Sequence, residues 1–326
     1  MKENGLNVLS LFDGISCAKL ALDKAGIKIK KYYSSEIDKS ALAVQSHHYS
    51  RNSNFIQLGD IRGIDGRALK DIDLVVFGSP CTNLTSINYK DRRGLEGDES
   101  KLFYEALRIL RELNSTKPID KKLYVLMENV ASMSKINAEK ITTELKSVLE
   151  DIQLLKVDSE LIAPAHRRRL YWTNIPGVTI PEPIKIKYGD VIENGFVDKE
   201  KANVVLSSNV TLTKGIYRHY EHSIGNIIFK DENFASYSTR EKLAIYPFVL
   251  ELSNYKSKSG ITKKEYDFPN GCYRLPSIKE LSRLMTIPDH YLCEVDSISR
   301  TEKERLTGLS FTVDVIAHLL RPLKII

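Results

Sequence analysis

Asp73-Leu74-Val75-Val76-Phe77-Gly78-Ser79-Pro80-Cys81 decides how this chain is read. The apolar run through Phe77 predicts a strand buried on both faces. Gly-Ser-Pro-Cys at its carboxyl end would hold a thiol in the crevice where doubly wound α/β sheets take their ligands. Most cytosolic cysteines are buried packing groups. Polar Thr82-Asn83 directly after Cys81 argue instead for a nucleophile.

The same pattern runs outward to Pro176. Asn7–Phe12, Lys31–Ile37, Leu74–Gly78, Leu123–Glu128, Leu154–Ile162 and Arg169–Asn174 read as strands. Helices are predicted at Cys17–Ala25, stopped by Gly26, at Lys101–Leu113, capped by Ser100, and at Ile136–Leu149. This alternation predicts a doubly wound, Rossmann-like α/β fold with parallel strands and right-handed crossovers. Pro176-Gly177, Pro181 and Pro183 break it. From there to about Cys272 the periodicity is weak, and Asn194-Gly195, Ser259-Gly260 and Asn270-Gly271 mark turns. Helical pattern returns at Ile278–Met285 and Val313–Leu320. One domain is therefore expected over residues 1–176, completed by 301–326, and a smaller one over 177–300.

A chain of 326 residues with 42% apolar and 28% charged residues suits a soluble globular protein of one large and one small domain. No apolar run is long enough to span a bilayer, and no leader peptide precedes the first strand. A cytoplasmic location without membrane association is expected. Cys17, Cys81, Cys272 and Cys293 lack metal-type spacing, so no metal site is expected. The net charge of +6 permits a polyanionic partner. Gly177–Arg274 holds 14 Lys and Arg against 12 Asp and Glu, so that segment is not expected to bind by charge alone.

Further signals surround the thiol. Phe12-Asp13-Gly14-Ile15 follows the first strand and opens the first helix, where backbone N–H groups meet a bound cofactor. Alone it reads equally as an ordinary turn. Glu36, in Ser34-Ser35-Glu36-Ile37-Asp38, ends the second strand, where an acid commonly takes a ribose diol; a solvated acid is the bland alternative. Asp38 suits a helix cap. Asp60, in Gly59-Asp60-Ile61, would end the next strand. Glu128-Asn129-Val130 follows the apolar Leu123–Met127 strand, which could deliver a buried acid of raised pKa. Arg167 and Arg169, two apart before Leu170-Tyr171-Trp172, would share one face of a strand, unless the triplet is an exposed basic cluster. Thr82–Glu99 is a polar loop carrying Asn83, Lys90, Arg92 and Arg93, with Gly94 and Gly97 as hinges. It suits either phosphate clamping or a plain surface role.

These motifs, in this order over nearly the whole chain, resemble the DNA (cytosine-5) methyltransferases. Leu11–Ile15, Ser34–Asp38, Ala165–Arg169 and the tail from Ser297 to Leu323 are similar to the de novo branch of the animal enzymes. The resemblance implies a sheet that binds S-adenosylmethionine, releases S-adenosylhomocysteine, and carries a smaller target-recognition domain. It implies that Phe12, Asp13, Gly14 and Ile15 form the cofactor turn. Glu36 with Ile37 and Asp60 with Ile61 would hold ribose and adenine. Ser79, Pro80, Ser310, Thr312 and Val313 would complete the pocket. Cys81 would add to cytosine carbon 6, Glu128 would address ring N3, Arg169 the O2, and Arg167 would hold the thiol or a phosphate in register. Asn83, Lys90, Arg92 and Arg93 would meet double-stranded DNA. The pattern departs at Ser16, where the family usually carries glycine, at Ala165, where glutamine is usual, and at Thr82-Asn83-Leu84. The animal enzymes' regulatory modules do not fit this length, so a bare catalytic unit of bacterial or phage type is expected. A transfer-RNA cytosine methyltransferase on the same scaffold is the nearest rival, disfavoured by the missing Cys-Phe-Thr signature. A non-enzymatic regulator would lack the Pro-Cys or Glu-Asn-Val residues. The recognition sequence, a cognate restriction endonuclease and the oligomeric state stay open.

Overall fold

The computed structural model describes residues 5–80, 101–207, 219, 225–239, 241–242, 249–256, 262–266 and 272–324. Cys81, the Thr82–Glu99 loop with Asn83, Lys90, Arg92 and Arg93, and the expected cap Ser100 lie outside the described residues.

The chain divides into two compact units. The first holds residues 1–158, 168–182 and 311–326. It contains β1 (Leu6–Leu11), α1 (Cys17–Ala25), β2 (Ile29–Ser35), α2 (Lys39–Tyr49), β3 (Phe55–Gln57), β4 (Leu74–Gly78), α3 (Leu102–Thr116), β5 (Tyr124–Val130), α4 (Lys135–Lys146), β6 (Gln153–Asp158), β7 (Arg168–Thr173) and a C-terminal helix, Val313–Leu320. The sheet runs β3-β2-β1-β4-β5-β7-β6. Strand order reverses between β1 and β4, and ligands of open α/β sheets sit at the carboxyl ends flanking that point. Phe12–Ile15 and Ser79–Pro80 follow those two strands.

The central strands are apolar because both faces are covered. Val8, Leu9, Leu74, Val75 and Phe77 are fully buried, each contributing about 1.5–3 kcal/mol of transfer free energy. On α3, Phe103, Ala106, Leu107, Leu110 and Leu113 form the inward stripe anticipated from their spacing. Gly26 caps α1, and Asp38 caps α2 by accepting from the Ser40 and Ala41 amides.

Strands β1 to β5 pair in parallel, but β7 runs antiparallel to both β5 and β6. The uniformly parallel expectation fails there for a geometric reason. Ser159–Arg167 links β6 to β7 with only a single 3-10 turn, Ser159–Leu161, and a parallel crossover needs about a dozen residues or more.

The second unit holds residues 159–167 and 183–310. Short antiparallel pairs, β8 (Ile228–Phe229) with β11 (Tyr273–Arg274) and β9 (Val249–Lys256) with β10 (Thr262–Tyr266), replace the regular sheet. A small core of Ile227, Phe229, Phe234, Ala235 and Tyr273 supports them. A Ser277–Glu280 capping box starts the helix Ile278–Leu284, and Glu280 is fully buried against Arg274 at 2.7 Å. Asp198, His219 and Lys242 form a buried polar group, with His219 Nε2 at 2.9 Å and Lys242 Nζ at 3.2 Å from the carboxylate.

Candidate active site

The turn after β1 is strained and tightly held. Phe12 (φ 53°), Gly14 (φ 57°) and Ser16 (φ 61°) all lie in the left-handed region. For the two residues bearing a Cβ this costs about 1–2 kcal/mol each. Asp13 anchors the turn from below. Its Oδ1 accepts from the Tyr32 hydroxyl at 2.6 Å, and its Oδ2 from the Ser16 hydroxyl at 2.6 Å and Gln45 Nε2 at 3.2 Å. Burial pushes the Asp13 carboxyl up to about 6, against the pull of those hydroxyls. Burial, and then the facing Asp13 charge, push the Tyr32 hydroxyl well above its usual value. The Ser16–Asp13 hydrogen bond gives a physical reason why serine stands where glycine is usual: it offsets the backbone strain. Asp13 and Ile15 are both buried, so their side chains shape the turn from the core side. A Cβ at Gly14 would meet nothing within 4 Å, so the turn is open above it.

Glu36 is bonded to this turn. Its Oε2 accepts from the Gly14 amide at 2.7 Å, and its Oε1 from the Ile37 and Asp38 amides at 2.8 Å each. Ile37 beside it is 62% exposed, an apolar side chain standing in solvent. Asp60 follows β3 and is gripped by Arg62, whose Nε lies at 3.0 Å and Nη2 at 2.5 Å. Those side-chain hydrogen bonds draw the Asp60 carboxyl down to about 2. Ile61 packs into the main core and is not an open apolar surface like Ile37.

The ends of β4 and β5 form the second focus. Gly78 and Glu128 are register partners. A Cβ on Gly78 would come within 3.0 Å of the Phe311 ring and 3.1 Å of Glu128 Oε2, so a larger residue there would push on one of these side chains. Glu128 Oε1 pairs with Arg169 Nε at 2.7 Å, with side-chain exposures of only 13% and 16%. Arg169 Nη1 also donates to the Arg168 carbonyl at 2.8 Å. Asn129 is fully buried: its Nδ2 donates to the Ser79 carbonyl at 3.2 Å and hydroxyl at 3.1 Å, while its Oδ1 accepts from the Val130 amide at 2.8 Å. The segment just before Pro80 is thereby stapled to the strand that bears Glu128. Ser79 is buried and Pro80 partly so.

The arginine triplet separates into three environments. Arg168 is exposed and pairs with Asp158 at 2.8 Å. Arg167 precedes β7 and therefore does not share a strand face with Arg169 as expected. It is buried, donating from Nη1 to the Gly308 carbonyl at 3.2 Å and from Nη2 to the Ser310 carbonyl at 2.7 Å. Ser310 in turn donates its hydroxyl to the Leu306 carbonyl at 2.7 Å. Thr312 and Val313, at the start of the C-terminal helix, are buried, and Thr312 Oγ1 has no hydrogen-bond partner among the described residues.

S-adenosylmethionine needs acceptors for its ribose diol, an apolar cover for its adenine and polar atoms for its amino-acid end. The Glu36 carboxylate, exposed Ile37, the open space over Gly14 and the partnerless Thr312 hydroxyl fit that ligand. In the second unit a cavity of about 680 Å³ is lined by Lys187, Asp198, Lys199, Glu200, Tyr237 and Lys242, among others.

The DNA (cytosine-5)-methyltransferase DRM2 of rice, Oryza sativa subsp. japonica, is 37% identical over 123 residues, covering 35% of this chain and 20% of that protein. The orphan methyltransferase M.Rho11sI of Bacillus phage rho11s is 32% identical over 235 residues, 69% of this chain and 40% of the phage protein. The matches thus span well under two thirds of the length of either relative. The methyltransferase EhMeth of Entamoeba histolytica shares the fold with a TM-score of 0.68 at 14% identity, over 98% of both chains. The family model for C-5 cytosine-specific DNA methylases matches residues 6–324, from the first strand to the turn after the last helix. The chain belongs to the C-5 cytosine-specific DNA methylase family, whose methyl donor is S-adenosylmethionine.

Proposed function

We propose that this chain methylates carbon 5 of cytosine in double-stranded DNA through a covalent adduct on Cys81. The observation that carries the reading is the partly buried Glu128–Arg169 pair beside Gly78, on a strand that Asn129 staples to Ser79, two residues before Cys81. The family description, a DNA methylase, and the name of the rice relative, a DNA (cytosine-5)-methyltransferase, support a DNA substrate over transfer RNA.

Bound S-adenosylmethionine supplies the electrophilic methyl group and leaves as S-adenosylhomocysteine. The chain's own residues make cytosine able to take that group. The target base leaves the stack, because its carbon 6 is unreachable inside a duplex. The Cys81 thiolate adds to carbon 6, and a free thiol near pKa 8.5 must be ionised to do so. Electron density moves to N3, where Glu128 donates a proton or a strong hydrogen bond. Arg169 orients Glu128 and donates to O2. Carbon 5, now an enamine carbon, accepts the methyl. Loss of the carbon 5 proton to water re-forms the double bond, expels Cys81 as the thiolate and returns the N3 proton to Glu128. Arg167 acts indirectly, by holding the Gly308 and Ser310 carbonyls.

Residues 1–176 with 301–326 are proposed to carry the chemistry, and 177–300 to read the DNA sequence and support the reading segment. Asn83, Lys90, Arg92 and Arg93 are proposed to clamp phosphates. A reducing, cytoplasmic setting suits the free thiol.

Base-resolution mapping of 5-methylcytosine in host DNA expressing the chain, beside a Cys81→Ser control, tests the reading. Methylation at a defined DNA sequence in the first sample alone is expected. Equal methylation in both samples, or modification confined to RNA, would refute it.

A further inference from the structure

We propose that Gln45, on the inward face of α2, is a positioning residue that locks the three loops of the cofactor site into one arrangement. The inference rests on the reading of that site given above. Gln45 is 3% exposed, which is uncommon for glutamine, and it uses its full hydrogen-bonding capacity. Nε2 donates to the Gly14 carbonyl at 2.7 Å and to Asp13 Oδ2 at 3.2 Å. Oε1 accepts from Gln57 Nε2 at 2.7 Å and from the Ser34 hydroxyl at 3.2 Å.

These partners lie on three segments, each of which leads into one loop of the site. Asp13 and Gly14 form the strained turn after β1, and the Gly14 amide is the donor to Glu36. Ser34 lies two residues before Glu36 at the end of β2. Gln57 closes β3, and its Oε1 accepts from the Gly59 amide at 2.9 Å, directly before Asp60. The Ser35 hydroxyl donates to the Gly59 carbonyl at 2.8 Å and closes the circuit. One amide thus fixes the spacing between the cradle turn, the ribose acid and the adenine-side acid.

Packing alone does not account for it. The other inward residues of α2 are Ala41 and Val44, so an apolar side chain would fill the same volume. A buried amide is tolerated only when bonded, and its contribution then lies in the orientation of its partners. Without Gln45, the Gly14 carbonyl loses its donor and the turn can relax out of its left-handed angles, carrying the Gly14 amide away from Glu36.

Gln45→Met keeps length and removes all four bonds. Gln57→Met, at an exposed position, removes only the β3 limb and leaves the core unchanged. The readouts are calorimetric titration with S-adenosylhomocysteine, and steady-state KM for S-adenosylmethionine, KM for DNA and kcat. Loss of two buried donors predicts that Gln45→Met weakens S-adenosylhomocysteine binding about tenfold or more. KM for S-adenosylmethionine should rise in parallel, while kcat at saturating cofactor and KM for DNA stay within about twofold, the split expected when only binding is lost. Gln57→Met should lose about two- to threefold in the same direction. Unchanged cofactor affinity in both variants, with only a lower melting temperature in Gln45→Met, would overturn the proposal. If Gln45→Met does not fold, Gln57→Met decides: affinity equal to wild type overturns it. Failure of the wild-type chain to bind S-adenosylhomocysteine would overturn the functional reading instead.

Discussion

Asp13→Asn should change how stability depends on pH. The carboxyl moves from its ordinary 3.8 to about 6 in the folded chain, because burial penalises its charge. In the unfolded chain it titrates near the ordinary value. Below that value both states hold the proton, and the contribution of Asp13 to stability is fully present. Between the two values the unfolded chain releases the proton while the folded chain keeps it, so stability falls as pH rises. Above the folded value both are ionised and the contribution is gone. At about 1.4 kcal/mol per pKa unit, the loss is of the order of 3 kcal/mol between about pH 4 and about pH 6. Asparagine keeps the shape and cannot ionise, so its effects on Ser16, Tyr32 and Gln45 form a constant offset. Urea unfolding followed by the fluorescence of Trp172 reports the right unit, since this is the sole tryptophan of the sequence and is fully buried in the sheet that carries Asp13. Subtracting variant from wild type cancels the carboxylates that do not interact with Asp13. The wild type should gain on the variant as the solution is acidified. Parallel profiles across the range would refute the reasoning, and with it the buried, ionisable anchor beneath the cofactor turn.

Glu128→Gln should lower turnover by about a hundredfold or more while S-adenosylhomocysteine affinity holds, because glutamine cannot deliver a proton; a fall under about tenfold in single-turnover assays would remove Glu128 from the N3 role. Arg169→Ala should slow cofactor-dependent covalent trapping on DNA carrying 5-fluorocytosine by about tenfold or more, the effect of one charged hydrogen bond. The trapped thiol should map to Cys81 by peptide mass; a map to Cys17, Cys272 or Cys293 contradicts the mechanism. Exchanging Gly177–Cys272 for the matching segment of a relative with another target should move the methylated sequence with it. An active chimera that keeps its original site would shift specificity to Thr82–Glu99.

Much of the catalytic scaffold was legible because its signals are local. The apolar runs of β1, β4 and β5, the Cys17–Ala25 helix ending at Gly26 and the Val313–Leu320 helix are recorded in consecutive residues. α2 and β3 carry weak patterns, so only one end of each was anticipated, Asp38 as a helix cap and Asp60 at a strand end, and neither was given a range. Helix α2 exists because Asp38 caps it and its Ala41, Val44 and Gln45 face is buried, and β3 because it pairs with β2. The reversal of β7 followed from a connection too short for a crossover, which strand propensity does not record.

Residue chemistry and order along the chain were enough to determine the family, the methyl donor and the candidate groups. Asp13, Glu36, Pro80-Cys81 and Glu128 are chemically distinctive and stand at strand ends. Tertiary structure alone decided what each group faces. It turned Asp13 inward under a strained turn, set Ile61 in the core and Ile37 in solvent, and parted Arg167 from Arg169. It also recruited Gln45 and Asn129, whose amides look like ordinary polar residues until both are buried. Those roles depend on hydrogen bonds between segments separated by about 20 to 140 residues. No local pattern encodes such bonds, because they exist only once the sheet has brought its strand ends together.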